Sequence, residues 1–378
     1  MNNENSFYHH FSETGDQMMP NLFGRTLSRS QLERYTGASW QVGGIRHLRF
    51  VEGVEDGTDV IQFDTGTGLT FNVLPGRGLD IASAKYCAAS LSYDTPTGEA
   101  HAAHFDPQGI GWLKTFFSGL LTTCGLTWAG AACDDQGVVL GIHGRYSHIP
   151  CRYLKTGDEW IGNTRRLWVA GEIRESVIFG PNIVLRRTIS TEIGSNTITI
   201  EDAVRNEAFE PVPHQLIYHI NIGFPVLDEN TELLINSKWR PRDAEAEKGK
   251  ELYNHFETPK AGYAEKAYYH DIVSDKKGFC HSALVNPKFA NERGIGVHVR
   301  HRKKELHRFC QWKMMGAGTY VCGLEPANCS VQGRAHDRAD GALVFLKPGE
   351  ERNYLVEISV LPDNDAIAVV RKLIGENK

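Results

Sequence analysis

Six stretches of the chain alternate apolar and polar side chains or crowd β-branched residues together: 58–64, 69–74, 183–190, 197–202, 215–222 and 354–361. A period of two is the signature of half-buried strands, and it pervades the middle of the sequence. Clusters such as Glu55-Asp56-Gly57, Pro75-Gly76 and Lys347-Pro348-Gly349 separate these stretches and supply the positive φ or preset proline φ that a reversal needs. Helical signals lie mainly at the two ends. Ser28 and Gln31 fit a capping box with Gly37 as a stop, and after Pro362-Asp363 the residues Ile367, Val370, Leu373 and Ile374 share a helical face before Gly375. Neither a strand-helix alternation, nor a fixed-period repeat, nor a Pro/Ser-rich linker interrupts the pattern. The prediction is an all-β, large antiparallel β-sandwich with short helices near both termini. Residues 1–40 are expected to form an extension with a short helix, polar and aperiodic over 1–24, and 41–378 a single domain. The Lys- and Glu-rich region 240–263 is predicted to be a long excursion, either a helix or a mobile flap.

Composition narrows the function. The 378 residues include 41 Lys plus Arg against 46 Asp plus Glu, a formal charge of −5 that argues against nucleic acid as a partner. No apolar run approaches the roughly 18 residues that a membrane span needs, so no membrane partner is expected. The start lacks the cationic and apolar regions of a secretory signal, and the eight cysteines contain no Cys-x-x-Cys pair. Reduced thiols and a cytoplasmic location are the expectation.

Four stretches carry candidate chemistry. In Pro213 to Pro225, a strand would turn Leu216, Tyr218, Ile220 and Ile222 one way and Gln215, Ile217, His219 and Asn221 the other. That polar stripe fits a pocket wall, and it also fits the wet side of an ordinary sheet. In Thr319 to Asn328, Glu325 stands before Pro326, which biases it towards an extended conformation at a strand end. A surface carboxylate is the alternative. Gly141-Ile142-His143-Gly144-Arg145 reads either as a sugar-binding corner or as a turn with a satisfied histidine. Gly76-Arg77-Gly78-Leu79-Asp80 offers an arginine fork to hydroxyls, or a turn pair of Arg77 with Asp80. No histidine spacing matches a strong metal signature and no glycine pattern matches a phosphate loop, so neither metal nor cofactor is expected.

Together these stretches resemble the aldose 1-epimerase, or galactose mutarotase, superfamily over most of residues 40–361. Tyr218-His219-Ile220-Asn221 is similar to the family's general-acid motif, and Gly323-Leu324-Glu325-Pro326 to its general-base motif. The resemblance implies a galactose mutarotase-like supersandwich with His219 and Glu325 as catalytic residues. It also implies sugar contacts from Arg77, His143 and neighbouring Arg145 and Asn221. Where the family continues towards Asn-Arg-Ile this chain has Leu79-Asp80-Ile81, so Asp80 is expected to take over part of a sugar contact. The family's substrate aspartate has no clear counterpart; Gln311 and Lys313, sharing a strand face beside Trp312, are expected in its place. The implied reaction interconverts the anomers of a free sugar, with Glu325 ionised as base and a charged His219 as acid. A glycosidase or lyase, with Asp80 as a second carboxylate, and a non-catalytic sugar-binding module are the alternatives. A small-molecule sugar is the expected partner, and a homodimer is left open.

Overall fold

The computed structural model describes residues 19–376, so residues 1–18 of the aperiodic start lie outside it. All six alternating stretches are strands: Asp59–Asp64, Leu69–Leu74, Asn182–Glu192, Thr197–Asn206, Gln215–Gly223 and Glu351–Leu361. They belong to two large antiparallel sheets. The site sheet has eleven strands. From one edge it runs Ser237–Pro241, Lys266–Ile272, Arg308–Gly316, Thr319–Ala327, Gln215–Gly223, Leu121–Leu126 and Asp80–Tyr86, and then three N-terminal strands, with Ala89–Ser90 paired to Asp80–Tyr86. The back sheet has eight, with Thr164–Ser176, Asn182–Glu192, Thr197–Asn206 and Glu351–Leu361 near its middle.

Between the sheets lies a continuous apolar core to which strands of both sheets send alternate residues. Leu216, Tyr218, Ile220 and Ile222 enter it from the site sheet, and Leu185, Ile189, Ile200, Val356 and Ile358 from the back sheet. Leu22, Leu27 and Leu32 join it from the N-terminal segment. One ionic cluster interrupts this apolar layer. Arg187 holds Asp202 through two nitrogens, at 2.9 and 2.7 Å, and donates to Asp80 at 3.0 Å and to the Thr123 hydroxyl at 2.9 Å. The Tyr218 hydroxyl donates to Asp202 at 2.6 Å. The cluster therefore ties the strand Gln215–Gly223 from behind to the opposite sheet.

The end helices form where capping predicts. Ser28 accepts from the Gln31 amide and Gln31 returns the bond, opening Arg29–Glu33, which stops short of Gly37. Asp363 caps Asn364–Glu376, whose Ile367, Val370 and Ile374 pack on Leu234, Ala283, Val285 and Leu361; this helix runs through Gly375. Region 240–263 is neither a regular helix nor a loose flap. It holds one helical turn at Ala244–Glu247 and a 3-10 turn at Lys250–Leu252, and two buried side chains beneath fasten residues 252–257. Lys313 donates to the carbonyls of Leu252 and His255 at 2.9 and 2.7 Å and pairs with Glu257 at 2.6 Å, while Gln311 donates to the Tyr253 carbonyl at 2.6 Å.

Candidate active site

Strand register brings the two principal candidates together. Thr319–Ala327 pairs with Gln215–Gly223 so that Leu324 faces Ile220 and Ala327 faces Ile217, which sets residues 325 and 219 opposite each other. Because Ile220 and Leu324 point into the core, His219 and Glu325 point out of the other face. Their Nε2 and Oε1 atoms lie 3.4 Å apart, with both side chains almost fully buried.

Asn221, two residues along the same face, fixes the imidazole. Its amide nitrogen donates to the carbonyls of Ser118 at 3.1 Å and His219 at 2.9 Å, which leaves its oxygen to accept from His219 Nδ1–H at 2.5 Å. Nε2 is then the atom presented to Glu325. In this arrangement Asn221 orients the imidazole. The pair sits among rings: Trp312, Phe116 and His143 approach His219 with centroids 5.3, 5.7 and 5.7 Å away, and Trp112 stacks on Phe116. Gly144, at φ 79°, makes the His143 corner possible, since a Cβ there would fall 2.4 Å from the carbonyl oxygens of Gly125 and Trp128. His143 Nδ1 and Trp112 Nε1 are buried without a hydrogen-bond partner.

Burial sets the protonation states. It pushes the Glu325 carboxyl up to about 8, helped by the charge of Glu265 and opposed by Arg242. It pushes His219 down to about 4 against the bond to Asn221 and the charge of Glu265, and His143 down to about 3 with the neighbouring His219 adding to the effect. The expectation that Glu325 is ionised and His219 charged at neutral pH is corrected. The resting pair carries one proton, and desolvation places it on the carboxyl.

Three further expectations are overturned by which face a residue occupies. Trp312, lying across from Gly323, points into the site, so its neighbours Gln311 and Lys313 point into the core and fasten the excursion beneath. Asp80 is fully buried in the ionic cluster with Arg187, facing away from His219. Arg77 is also buried. Its guanidinium donates to the carbonyls of Ser147, Ala100 and Thr115 at 2.6, 2.6 and 2.9 Å and to His148 Nε2 at 3.0 Å, so it clamps three loops and makes no turn pair with Asp80. Arg145, half-buried beside His143, accepts from the His148 amide through its carbonyl at 3.0 Å, and its side chain makes no hydrogen bond or ion pair among the described residues.

The sequence reading missed Trp312 itself, Glu265 and Arg242. Trp312 Nε1 donates to Glu265 at 2.8 Å, and Arg242 donates to the other Glu265 oxygen at 3.1 Å. The only available signal was the alternation through Trp312. Arg242 lies at the start of the excursion and Glu265 just beyond its end, and neither carries a periodic mark. Among the described residues, no group of three or more His, Cys, Asp or Glu side chains could hold a metal ion, and no helix is long and apolar enough to cross a membrane.

Comparison with known proteins agrees with this geometry at the level of the fold. Residues 55–360 match the family model described as a domain of unknown function, DUF4432. A Klebsiella pneumoniae protein provisionally described as an aldose 1-epimerase superimposes with a TM-score of 0.83 at 21% identity, over 88% of each chain. A galactose mutarotase-like protein from Clostridium acetobutylicum has a TM-score of 0.58 at 14% identity, over 85% of this chain and 99% of that one. The galactose 1-epimerase of Lactobacillus acidophilus has a TM-score of 0.51 at 10% identity, over 84% and 98%. The fold is that of the galactose mutarotase-like proteins. No curated protein matches the sequence.

Proposed function

Since the chain belongs to the DUF4432 family, whose description assigns no activity, its chemistry rests on the site, and we propose that it is an isomerase of the aldose 1-epimerase type. The observation that carries this reading is the 3.4 Å approach of His219 Nε2 to Glu325 Oε1 on a face lined with rings. Ring opening moves the proton of the C1 hydroxyl to a base, breaks the bond from C1 to the ring oxygen and delivers a proton to that oxygen. Rotation about C1–C2 and the reverse transfers then close the other anomer. A pair that holds one proton and one vacant site supplies both functions without net change. In the charged tautomer Glu325 is the base and His219 the acid, its Nδ1–H still held by Asn221. In the neutral tautomer the roles exchange. His143, with its unpaired Nδ1, Trp312 and Arg145 orient the hydroxyls, and the buried unpaired nitrogens gain partners when a polyhydroxylated ligand enters.

The test is anomer exchange of free sugars, followed by saturation-transfer NMR or polarimetry. Glu325→Gln and His219→Asn are each expected to lower turnover by about 10² to 10⁴-fold. Unchanged exchange in both variants would sink the reading. The charge of Glu265, which reaches Glu325, favours one second reading, a glycosidase with Glu265 in the place foreseen for Asp80. Release of reducing sugar from a glycoside panel, lost in Glu265→Gln, would select it.

A further inference from the structure

Beyond Glu325 lies a cavity of about 310 Å³ whose lining includes Lys238, Arg240, Tyr269, Asp271 and Arg308, which share the face of Glu325, and Phe309 among residues that alternate with them. Register places it. Arg240 faces Tyr269, Tyr269 faces Cys310 and Cys310 faces Glu325, so one row of residues leads from the cavity to the acid/base pair. Two strand spacings, about 10 Å in all, separate Tyr269 from Glu325 along that row. Arg308 lies nearer, two residues from Cys310 along the strand next to that of Glu325. A hexose with a substituent on its terminal carbon covers such a span when C1 lies at the pair.

The charge of the cavity is not inherited from the chain, which is acidic overall at −5. Three of the lining side chains are cations, and none of them makes an ion pair among the described residues. Arg308 Nε is buried with no hydrogen-bond partner, and the Arg240 guanidinium lies over the Tyr269 ring at 4.7 Å. Lys238 faces Asp271 in register, yet the Asp271 carboxylate pairs with Lys303 at 2.7 Å. A buried guanidinium N–H without an acceptor, such as Arg308 Nε–H, is costly unless something supplies one, and a guanidinium fork matches the oxygens of a carboxylate or phosphate. We propose that this cavity binds an oxyanion carried on the sugar remote from C1, so that the substrate is an anionic sugar. The proposal rests on the acid/base reading of His219 and Glu325, which sets where C1 lies.

Calorimetry on the full chain at low salt tests it with the 6-phosphates and uronates of glucose, galactose and mannose, the neutral sugars themselves, and inorganic phosphate. At least one anionic sugar is expected to bind about tenfold or more tighter than its neutral parent. Added salt should erode that preference. Arg308→Met should remove most of it, and so should Arg240→Gln, a change at an exposed position on an edge strand that keeps the test valid if the first variant fails to fold. The comparison of phosphate with uronate tells which oxyanion is taken. Equal binding of charged and neutral sugars, a preference intact in both variants, or inorganic phosphate bound as tightly as a sugar phosphate would each overturn the proposal. Anomer exchange measured on the same samples separates the two claims. An anionic preference without exchange overturns the isomerase reading alone, exchange without the preference overturns the anion site alone, and no binding by any sugar overturns both.

Discussion

On the proposed mechanism, the proton shared by His219 and Glu325 fixes how activity responds to pH, and its burial fixes how stability does. With ordinary values of 6.5 and 4.5 the pair would hold one proton only between those limits, whereas burial widens the window to between about 4 and about 8. The rate of anomer exchange is therefore expected to be bell-shaped with limbs near those values, as a pH series would show. Stability takes a different course. Between pH 4.5 and 6.5 the folded and unfolded chains bind the same single proton at these groups, on Glu325 when folded and on the imidazole when unfolded, and the pair contributes no slope. Above pH 6.5 the unfolded imidazole loses its proton while folded Glu325 keeps its own, so stability falls with rising pH by about 2 kcal/mol before Glu325 ionises. Glu325→Gln cannot ionise, and its melting temperature relative to the unaltered protein should climb from pH 6.5 to 8.5. His219 and Glu325 were legible because each sits in a motif on an alternating strand. Their protonation was not, since desolvation depends on what the fold stacks above them. Gln311 and Lys313 failed for a related reason: a period of two tells which residues share a face without telling which face is the site.

At the scale of single elements, the strand Thr319–Ala327 shows how a small residue serves the pair. A Cβ on Gly323 would lie 2.7 Å from Glu325 Oε1 and 3.1 Å from the Trp312 Cβ. Gly323→Ala should push the carboxyl out of line with His219 and lower turnover about tenfold or more, with a change in melting temperature small enough to show that the fold survives. The excursion after Ser237–Pro241 responds to a change beneath it. Lys313→Met removes the donor to the Leu252 and His255 carbonyls and leaves Glu257 with only its 4.0 Å approach to Lys260, so hydrogen exchange should quicken over 250–258 and remain slow in Gln215–Gly223. The sequence located this excursion by its charge-rich composition. The side chains that hold it down were invisible, because Gln311 and Lys313 arrive from a strand some fifty residues later.

Across the whole molecule, all six alternating stretches and both end helices were readable, since each is set by local periodicity and capping. Strand order was not, because it depends on pairings such as that of Leu121–Leu126 with Gln215–Gly223, almost a hundred residues apart. The inter-sheet cluster was hidden too. Asp80 and Arg187 lie more than a hundred residues apart, and neither position carries a mark of burial. Removing the shared cation with Arg187→Met leaves Asp80 and Asp202 buried and unpaired, and is expected to cost about 3 to 5 kcal/mol, measured by denaturant unfolding. A loss below about 1 kcal/mol would show that the cluster adds nothing to the sandwich.

That cluster has a consequence for how such a protein diversifies. Tyr218 is anchored to Asp202 on one side of its strand while His219 faces Glu325 on the other, so the proposed reacting centre stands on a strand braced from the rear. The marginal strands that carry Arg240 and Tyr269 have no share in that bracing. On the proposed reading, mutations there retune which solute is admitted while the chemistry at the centre stays as it was.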